Sequence, residues 1–324
     1  MPFQMDALRI SNAEWQPSER PWAIVQYDDR PLDEMSLGFV NRNSYYCKIH
    51  HCAYVFLNSG YEHMPPYWSK VRIAWDLLRL KFSDSEAHLF SGVMWLDMDA
   101  VILDLERPID KLGLDPAKSF ACAPDPVGLS SSFNAGVWLV RNTPAGHGLM
   151  AAWLGQYRPD AWRRADGRWA SHSDWAGESY EQGAFVHHVA PAHAAAIQLL
   201  PWEVLQGMSP ATPGAFALHF FSCGHALGLG LLQVDRHILQ ILRTKHAQGD
   251  AAAVPLRPLL TMKINLAAAL LETANRDGDP AAALALYDEG EAVMAAALRL
   301  DPECGPCASN IDRIRRNRAI RAQE

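Results

Sequence analysis

The chain lacks any apolar run long enough to cross a membrane. Its most apolar stretch, 216–234, is broken by His219, His225 and several glycines, short of the ~20 consecutive apolar residues a spanning helix needs. Residues 1–15 hold no basic patch followed by an apolar core, so no signal peptide is expected. Basic residues are outnumbered, 29 Lys and Arg against 36 Asp and Glu, for a net charge of −7. That balance excludes a general nucleic-acid or anionic-membrane surface while leaving room for a local basic pocket. Cysteine is scarce, six in 324 residues, which excludes a disulfide scaffold. Cys47, Cys52, Cys122 and Cys223 read as buried thiols. These absences describe a soluble chain, cytoplasmic by default, with no membrane span and no nucleic-acid partner.

Cys304-Gly305-Pro306-Cys307 has the spacing of a thioredoxin-type redox motif, which in that fold follows a buried strand and opens a helix. Here it follows an Ala- and Leu-rich helical pattern ending at Leu300-Asp301-Pro302, with no room for that fold. A turn between helices is expected instead.

What the chain does have is apolar mass. Hydrophobic residues make up 49% of it and include 11 Trp, ample for one large domain with or without a smaller appendage. The run Val93-Met94-Trp95-Leu96-Asp97-Met98-Asp99 is a buried strand, apolar on both faces, that ends in two carboxylates one residue apart. Open α/β sheets bind ligands at that edge. Carboxylates ~4 Å apart repel by roughly 4 kcal/mol at an effective dielectric near 20, so a divalent cation is their natural partner. In isolation an Asp-x-Asp pair is more often two solvated acids, and its surroundings must decide.

Around it the order is βαβαβ. A strand at Ala23–Tyr27 runs into the turn-like Asp28-Asp29-Arg30-Pro31, and a helix carrying Tyr45, Tyr46 and Ile49 leads to a strand at Ala53–Leu57. Pro66 opens a helix whose apolar face is written by Val71, Trp75, Leu78 and Phe82. The Asp97 strand follows, completing the pattern of a nucleotide-binding type of parallel sheet. Further strands are expected at Ala121–Ala123, Gly136–Arg141 and Phe216–Phe221, with helices at Gly146–Tyr157 and Glu181–Val189. Arg158–Glu178 reads as a loop rich in Trp and Arg, in which Trp162, Trp169 and Trp175 are either core aromatics or an exposed stacking platform. Residues 251–258 read as a linker. Beyond it the Ala-rich pattern through Gly278-Asp279-Pro280 and Tyr287 resembles one tetratricopeptide-type helical hairpin. One such repeat cannot bury its own face, so this part packs on the larger domain, on a protein partner or on a second copy. The basic end, from Arg313 to Arg321, reads as a solvated helix face. The expected domains are 1–250 and 251–324.

Six short signals recur along 22–235. They are Asn41 through Tyr46-Cys47-Lys48 to His50, Trp68-Ser69-Lys70, Trp95-Leu96-Asp97-Met98-Asp99-Ala100, Asn134-Ala135-Gly136 through Arg141-Asn142, Glu181-Gln182-Gly183-Ala184, and His219-Phe220-Phe221-Ser222-Cys223. In this order they resemble glycosyltransferase family 34, the galactosyl-, xylosyl- and mannosyltransferase group. The resemblance implies an α/β GT-A fold with a helical appendage, a nucleotide-sugar donor (UDP-galactose first, with xylose, mannose or glucose as options), a glycan acceptor and transfer with retention.

It also implies Mn²⁺, with Mg²⁺ second, on Asp97, Asp99 and His219, a hard oxygen pair plus one imidazole. Glu181 and Gln182 would be the catalytic pair near the anomeric carbon. Gln26, Tyr27, Asp28, Tyr46, Lys70, Asn134, Ala135 and Gly136 would contact the donor. Read without the family, His219 is a core histidine, Asn134 a turn residue, Glu181 a helix-start acid, Tyr46 packing and Lys70 a solvated charge. The chain departs from the family at Tyr180, where a second acid is common, at Ala135, where Ser or Thr is usual, and at Ser222, Gly224 and His225 after the metal-binding His. Family members are usually Golgi-anchored, and no anchor is visible here.

The rivals are a haloacid-dehalogenase-like phosphatase and a non-catalytic adaptor built on a degenerate transferase. The phosphatase motif closes the first strand of its domain and needs a later acidic pair, and neither holds here. An intact Asp97, Asp99 and His219 set speaks against degeneracy.

Overall fold

The computed structural model describes residues 9–11, 20–31, 34–82, 85–126, 131–221, 233–240 and 256–323. The chain divides into two compact units, Met1–Pro31 with Val40–Phe221, and Leu32–Phe39 with Ser222–Glu324.

The first unit is built on a sheet. Its elements in chain order are β1 (Arg9–Ser11), β2 (Trp22–Tyr27), α1 (Glu34–Ile49), β3 (Ala53–Leu57), α2 (Pro66–Arg79), β4 (Gly92–Leu96), β5 (Ala100–Ile102), β6 (Phe120–Cys122), β7 (Val137–Arg141) and α3 (Pro144–Leu154). Then come β8 (Trp162–Ala165), β9 (Arg168–Ser171), α4 (Glu181–Ala184), α5 (Ala190–His193), β10 (Ile197–Leu199), α6 (Trp202–Leu205) and β11 (Ala217–His219). Seven strands pair in the order β1-β3-β2-β4-β7-β6-β10. β2 is parallel to both β3 and β4, whereas β7 is antiparallel to β4 and to β6. The chain therefore steps from β2 to β3 on one side and returns to β4 on the other. The carboxyl ends of β2 and β4 flank a topological switch point, where open α/β sheets form their ligand crevice.

Side-chain alternation fills two layers. Ala23, Val25 and Tyr27 of β2 join Val93 and Trp95 of β4 in one core with α2 and α3. Trp22, Ile24, Met94 and Leu96 point the other way, against Tyr46, Cys47, Ile102 and Phe216. Period 2 along a strand buried on both faces gives this division. The expected α/β class with a helical C-terminal part is met.

Several local expectations need correction. α2 ends at Arg79, so Phe82 lies outside it, and its fully buried residues are Trp68, Ser69, Val71, Ile73, Ala74, Leu77 and Leu78. The segment 158–178 is not a plain loop, because β8 and β9 pair as an antiparallel hairpin in register Arg163↔Ala170. Asp166-Gly167, both at positive φ, make its two-residue turn, and this Asp-Gly signal was legible in the sequence. The helix opened by Glu181 stays α-helical only to Ala184 and then widens into a π turn over Phe185–Val189.

In the second unit residues 233–240 are helical (α7), and three longer helices follow, α8 (Leu256–Arg276), α9 (Pro280–Leu300) and α10 (Gly305–Arg321). α8 begins inside the expected linker. Asp279 caps α9 by accepting from the Ala281 amide, and Pro280 stands at its first position. Leu270 and Leu271 of α8, Ala283, Tyr287 and Met294 of α9, and Cys307, Ile311 and Ile314 of α10 supply buried faces at helical spacing. Gly290 lets the helices close in, since a Cβ there would meet Ile314 Cδ1 at 3.3 Å. The basic face of α10 is paired rather than merely solvated: Arg315 binds Glu291 and Arg318 binds Asp288. Cys304, at the start of α10, is disulfide-bonded to Cys307 in its first turn, so the expected turn between helices is shorter than the motif and is cross-linked to the helix. Cys47, Cys52 and Cys122 are free and buried as expected, and Cys223 lies outside the described residues. No helix among the described residues is long and apolar enough to cross a membrane.

Candidate functional site

β4 stops at Leu96, and Asp97-Met98-Asp99 turn the chain into β5, the Ala100 amide donating back to the Asp97 carbonyl at 2.9 Å. The turn is fixed from two sides. The Asp97 amide donates to Gly136 O at 2.7 Å, and the fully buried Gln26 amide donates to Asp97 O at 3.1 Å. Asn43 and the Tyr54 hydroxyl in turn donate to Gln26 Oε1. His219 arrives through a separate two-stranded ladder, β11 against β5, in register His219↔Ala100. A one-residue slip would turn its ring to the other side.

This convergence puts one ligand atom from each of Asp97, Asp99 and His219 within 4.8 Å of one another. His219 Nε2 lies 3.2 Å from Asp99 Oδ1 and 4.0 Å from Asp97 Oδ2. The other ring nitrogen, Nδ1, is 2.8 Å from Gln206 Oε1. Gln206 is fully buried, and its Nε2 donates to Val137 O at 3.1 Å, which orients the amide oxygen toward the ring. Nδ1 therefore donates to Gln206 and leaves the Nε2 lone pair facing the carboxylates, as a metal-ligating imidazole requires. Gly136 lies against the same ring, and a Cβ there would meet His219 Cε1 at 2.0 Å. No side chain fits.

Lys70 joins the carboxylates. From the inner face of α2 its Nζ lies 2.8 Å from Asp97 Oδ1 and 3.3 Å from Glu181 Oε1. Burial pulls its ammonium down, and the two carboxylates more than compensate, holding its pKa above the ordinary lysine value. Burial raises the Glu181 carboxyl, Lys70 opposes that, Asp97 adds to it, and the net direction is up. Burial likewise pushes the Asp99 carboxyl up, and a protonated His219 outweighs that and holds the carboxyl below its ordinary range. Trp95 Nε1 donates to Asp97 Oδ1 at 2.7 Å. Asp97 and Glu181 share one ammonium, Lys70, while Asp99 faces the imidazole of His219. The site thus carries two uncompensated negative charges, which suits a divalent cation on two oxygens and one imidazole nitrogen.

The remaining expected residues divide. Gln182 is brought in: its Oε1 accepts from the Ala135 amide at 3.0 Å, while Ala135 O accepts from Lys70. Asn134 faces away to Asp125, donating to Oδ1 at 2.7 Å, and its own Oδ1 accepts from the Gly136 amide. Tyr27 is buried in the α2 core, and Asp28 is gripped by the Arg30 guanidinium through Nε and Nη2, both at 2.8 Å. Tyr46 is not part of the cluster. It lies in the opposite core layer, with its hydroxyl on Arg107 O at 2.8 Å. Of the aromatic trio, Trp162 is buried, Trp169 half-buried under Arg164, and Trp175 exposed.

Sequence reasoning missed Gln206, Asn43, Asp125 and the bond from Trp95. Only the last left a signal, since residues two apart on a strand share a face.

No protein-family model and no curated protein matches the chain. Among solved structures, a glycosyltransferase involved in the glycosylation of the major capsid of PBCV-1 is similar over 62% of this chain and 93% of its own, at 15% identity and a TM-score of 0.47. The glycosyltransferase GlyE of Streptococcus pneumoniae TIGR4 is similar over 63% of this chain and 55% of its own, at 13% identity and a TM-score of 0.37.

Proposed function

We propose that this protein is a Mn²⁺-dependent glycosyltransferase that moves a hexosyl or pentosyl group, galactose first, from a nucleotide diphosphate to a glycan hydroxyl. The observation that carries the reading is the gathering of Asp97, Asp99 and His219 at the β2–β4 switch point, with Glu181 tied to the same carboxylates through Lys70. Retention of configuration follows from the family resemblance. Residues 1–250 are assigned the catalysis and 251–324 the appendage.

Asp97, Asp99 and His219 would hold the ion. When bound, it supplies positive charge to a departing diphosphate. The protein's own groups do the rest. Gln206 and Gly136 hold the His219 ring in one tautomer and one place, so the ligand set is preorganised. Lys70 keeps the buried Glu181 and Asp97 apart in charge and fixed in space. A carboxylate held this way at the end of the crevice stabilises positive charge developing at an anomeric carbon. Gln182 braces the 134–136 strap against α4, which keeps Glu181 in register with the Asp97 turn.

A donor panel measuring nucleoside diphosphate release with and without Mn²⁺ tests this. Release that needs Mn²⁺ for at least one nucleotide sugar, and that Asp99→Ala abolishes in a folded protein, is the expected result. Absence of Mn²⁺-dependent release with every donor refutes the proposal.

A further inference from the structure

The segments that supply Glu181 and Lys70 also carry an aromatic surface that is exposed among the described residues. Trp175 is 71% exposed, the most exposed large hydrophobic among the described residues. It is not loosely placed. Its ring meets Tyr67 at 5.3 Å and 77° and Tyr180 at 5.0 Å and 61°. Beneath them Trp162, nearly fully buried, stacks on Tyr67 at 5.6 Å and 28°. Three rings thus form a base with one indole at its top.

The backbone carrying that indole is pinned as well. Trp68 and Trp162 both donate their indole N–H to Ser179 O, at 2.9 and 3.2 Å, and Trp153 donates to Glu181 O at 2.8 Å. Ala176, the residue after Trp175, has φ +57°. The carbonyls of Ala176 and Gly177 press on Gly183, where a Cβ would meet them at 2.4 and 2.2 Å. An exposed tryptophan on a rigid mount, its turn held in a left-handed conformation, is a preorganised contact surface.

Its place relative to the chemistry is set by the chain. Tyr180 immediately precedes Glu181, and Tyr67 lies one helical turn before Lys70 on α2. The two rings that support Trp175 therefore belong to the two segments that supply the Glu181–Lys70 pair. A sugar ring matches such a surface: its C–H face packs on an indole while its hydroxyl edge bonds to carboxylates and amides. A lone ring flanked by charge is a poor seat for a lipid or an extended apolar peptide, which need a contiguous patch.

We propose that Trp175 is the stacking surface for a sugar ring of the acceptor glycan, with Tyr67 and Tyr180 as its supports. This rests on the transferase reading above and adds to it where the acceptor sits. Trp162 and Trp169 are excluded from direct contact, the first by burial and the second because Arg164 lies over its ring.

The test uses the full chain on an array of immobilised oligosaccharides, with Mn²⁺-dependent donor cleavage by the wild-type protein measured in parallel. Trp175→Ala should weaken binding of the wild type's glycans tenfold or more and raise the acceptor KM far more than it lowers kcat. Trp175→Phe should recover much of the loss, and Trp169→Ala should bind as the wild type does. Equal binding by Trp175→Ala and wild type overturns the proposal, as does wild-type binding to no glycan on the array. Glycan binding that depends on Trp175 without any donor cleavage supports the stacking surface and sinks the transferase reading instead.

Discussion

Gln206 holds His219 by its far nitrogen. The 2.8 Å contact from Gln206 Oε1 to Nδ1, with the Gln206 amide anchored on Val137 O, fixes which imidazole nitrogen faces Asp97 and Asp99. The nitrogen that faces the carboxylates is chosen by a residue that touches neither of them.

Gln206→Leu should therefore weaken Mn²⁺ binding by about tenfold to a hundredfold, the usual cost of losing an outer partner of a metal-bound histidine. Titration calorimetry with Mn²⁺ reads this directly. The variant also leaves Val137 O buried and unpaired, a loss of about 1–3 kcal/mol in denaturant unfolding. Unchanged Mn²⁺ affinity in a destabilised protein would show that Gln206 is structural only.

Gly136→Ala should damage the site through sterics alone. The new methyl meets the His219 ring at 2.0 Å, well inside any tolerated contact, so the imidazole must leave its place. Overpacking of this kind costs about 1–3 kcal/mol, and Mn²⁺ affinity should fall with it. A variant that melts and binds Mn²⁺ like the wild type would contradict the close approach.

Lys70→Met should alter how stability depends on pH. The Glu181 carboxyl is held above its ordinary value by burial, with Lys70 acting against that rise. A group raised in the folded state contributes stability that is full below its unfolded pKa and is lost as pH rises through its folded pKa. Without Lys70 the folded value climbs further. The variant should then lose more stability than the wild type as pH rises above the ordinary glutamate range, in denaturant titrations below and above it. Removing one partner of a buried pair also costs about 3–5 kcal/mol. Parallel curves for the two proteins would exclude Glu181 as the responsible group.

Much of the frame was legible because it follows from period and breakers. The β3 range Ala53–Leu57 and the α2 start at Pro66 are read from apolar alternation and a proline at the first helical position, and both stand in the structure. The π turn after Ala184 was not legible, since 3.6-residue spacing does not announce one extra residue in a turn. Nor was the pairing of α10 arginines with α9 acids, because a charge run looks the same whether solvated or paired. Within the site, the residues nearest the carboxylates carry recognisable chemistry, whereas Gln206 and Asn43 act through burial and orientation. A buried amide gives no pattern along the chain. Its partners come from distant segments, and the bridge that joins Gly207 to Leu218, with the His219 amide on Gly207 O, brings Gln206 against His219.

That ladder also sets an order in time. During synthesis the Asp97 turn emerges early, with β2, β3 and β4 ready to pair behind it, while His219 waits for the last strand of the unit. Until β11 docks on β5, the nascent chain carries an acidic turn at its crevice without the nitrogen that would complete it. His219 is therefore the last of the three to be synthesised, and the Asp97, Asp99 and His219 set exists only once β11 has paired with β5.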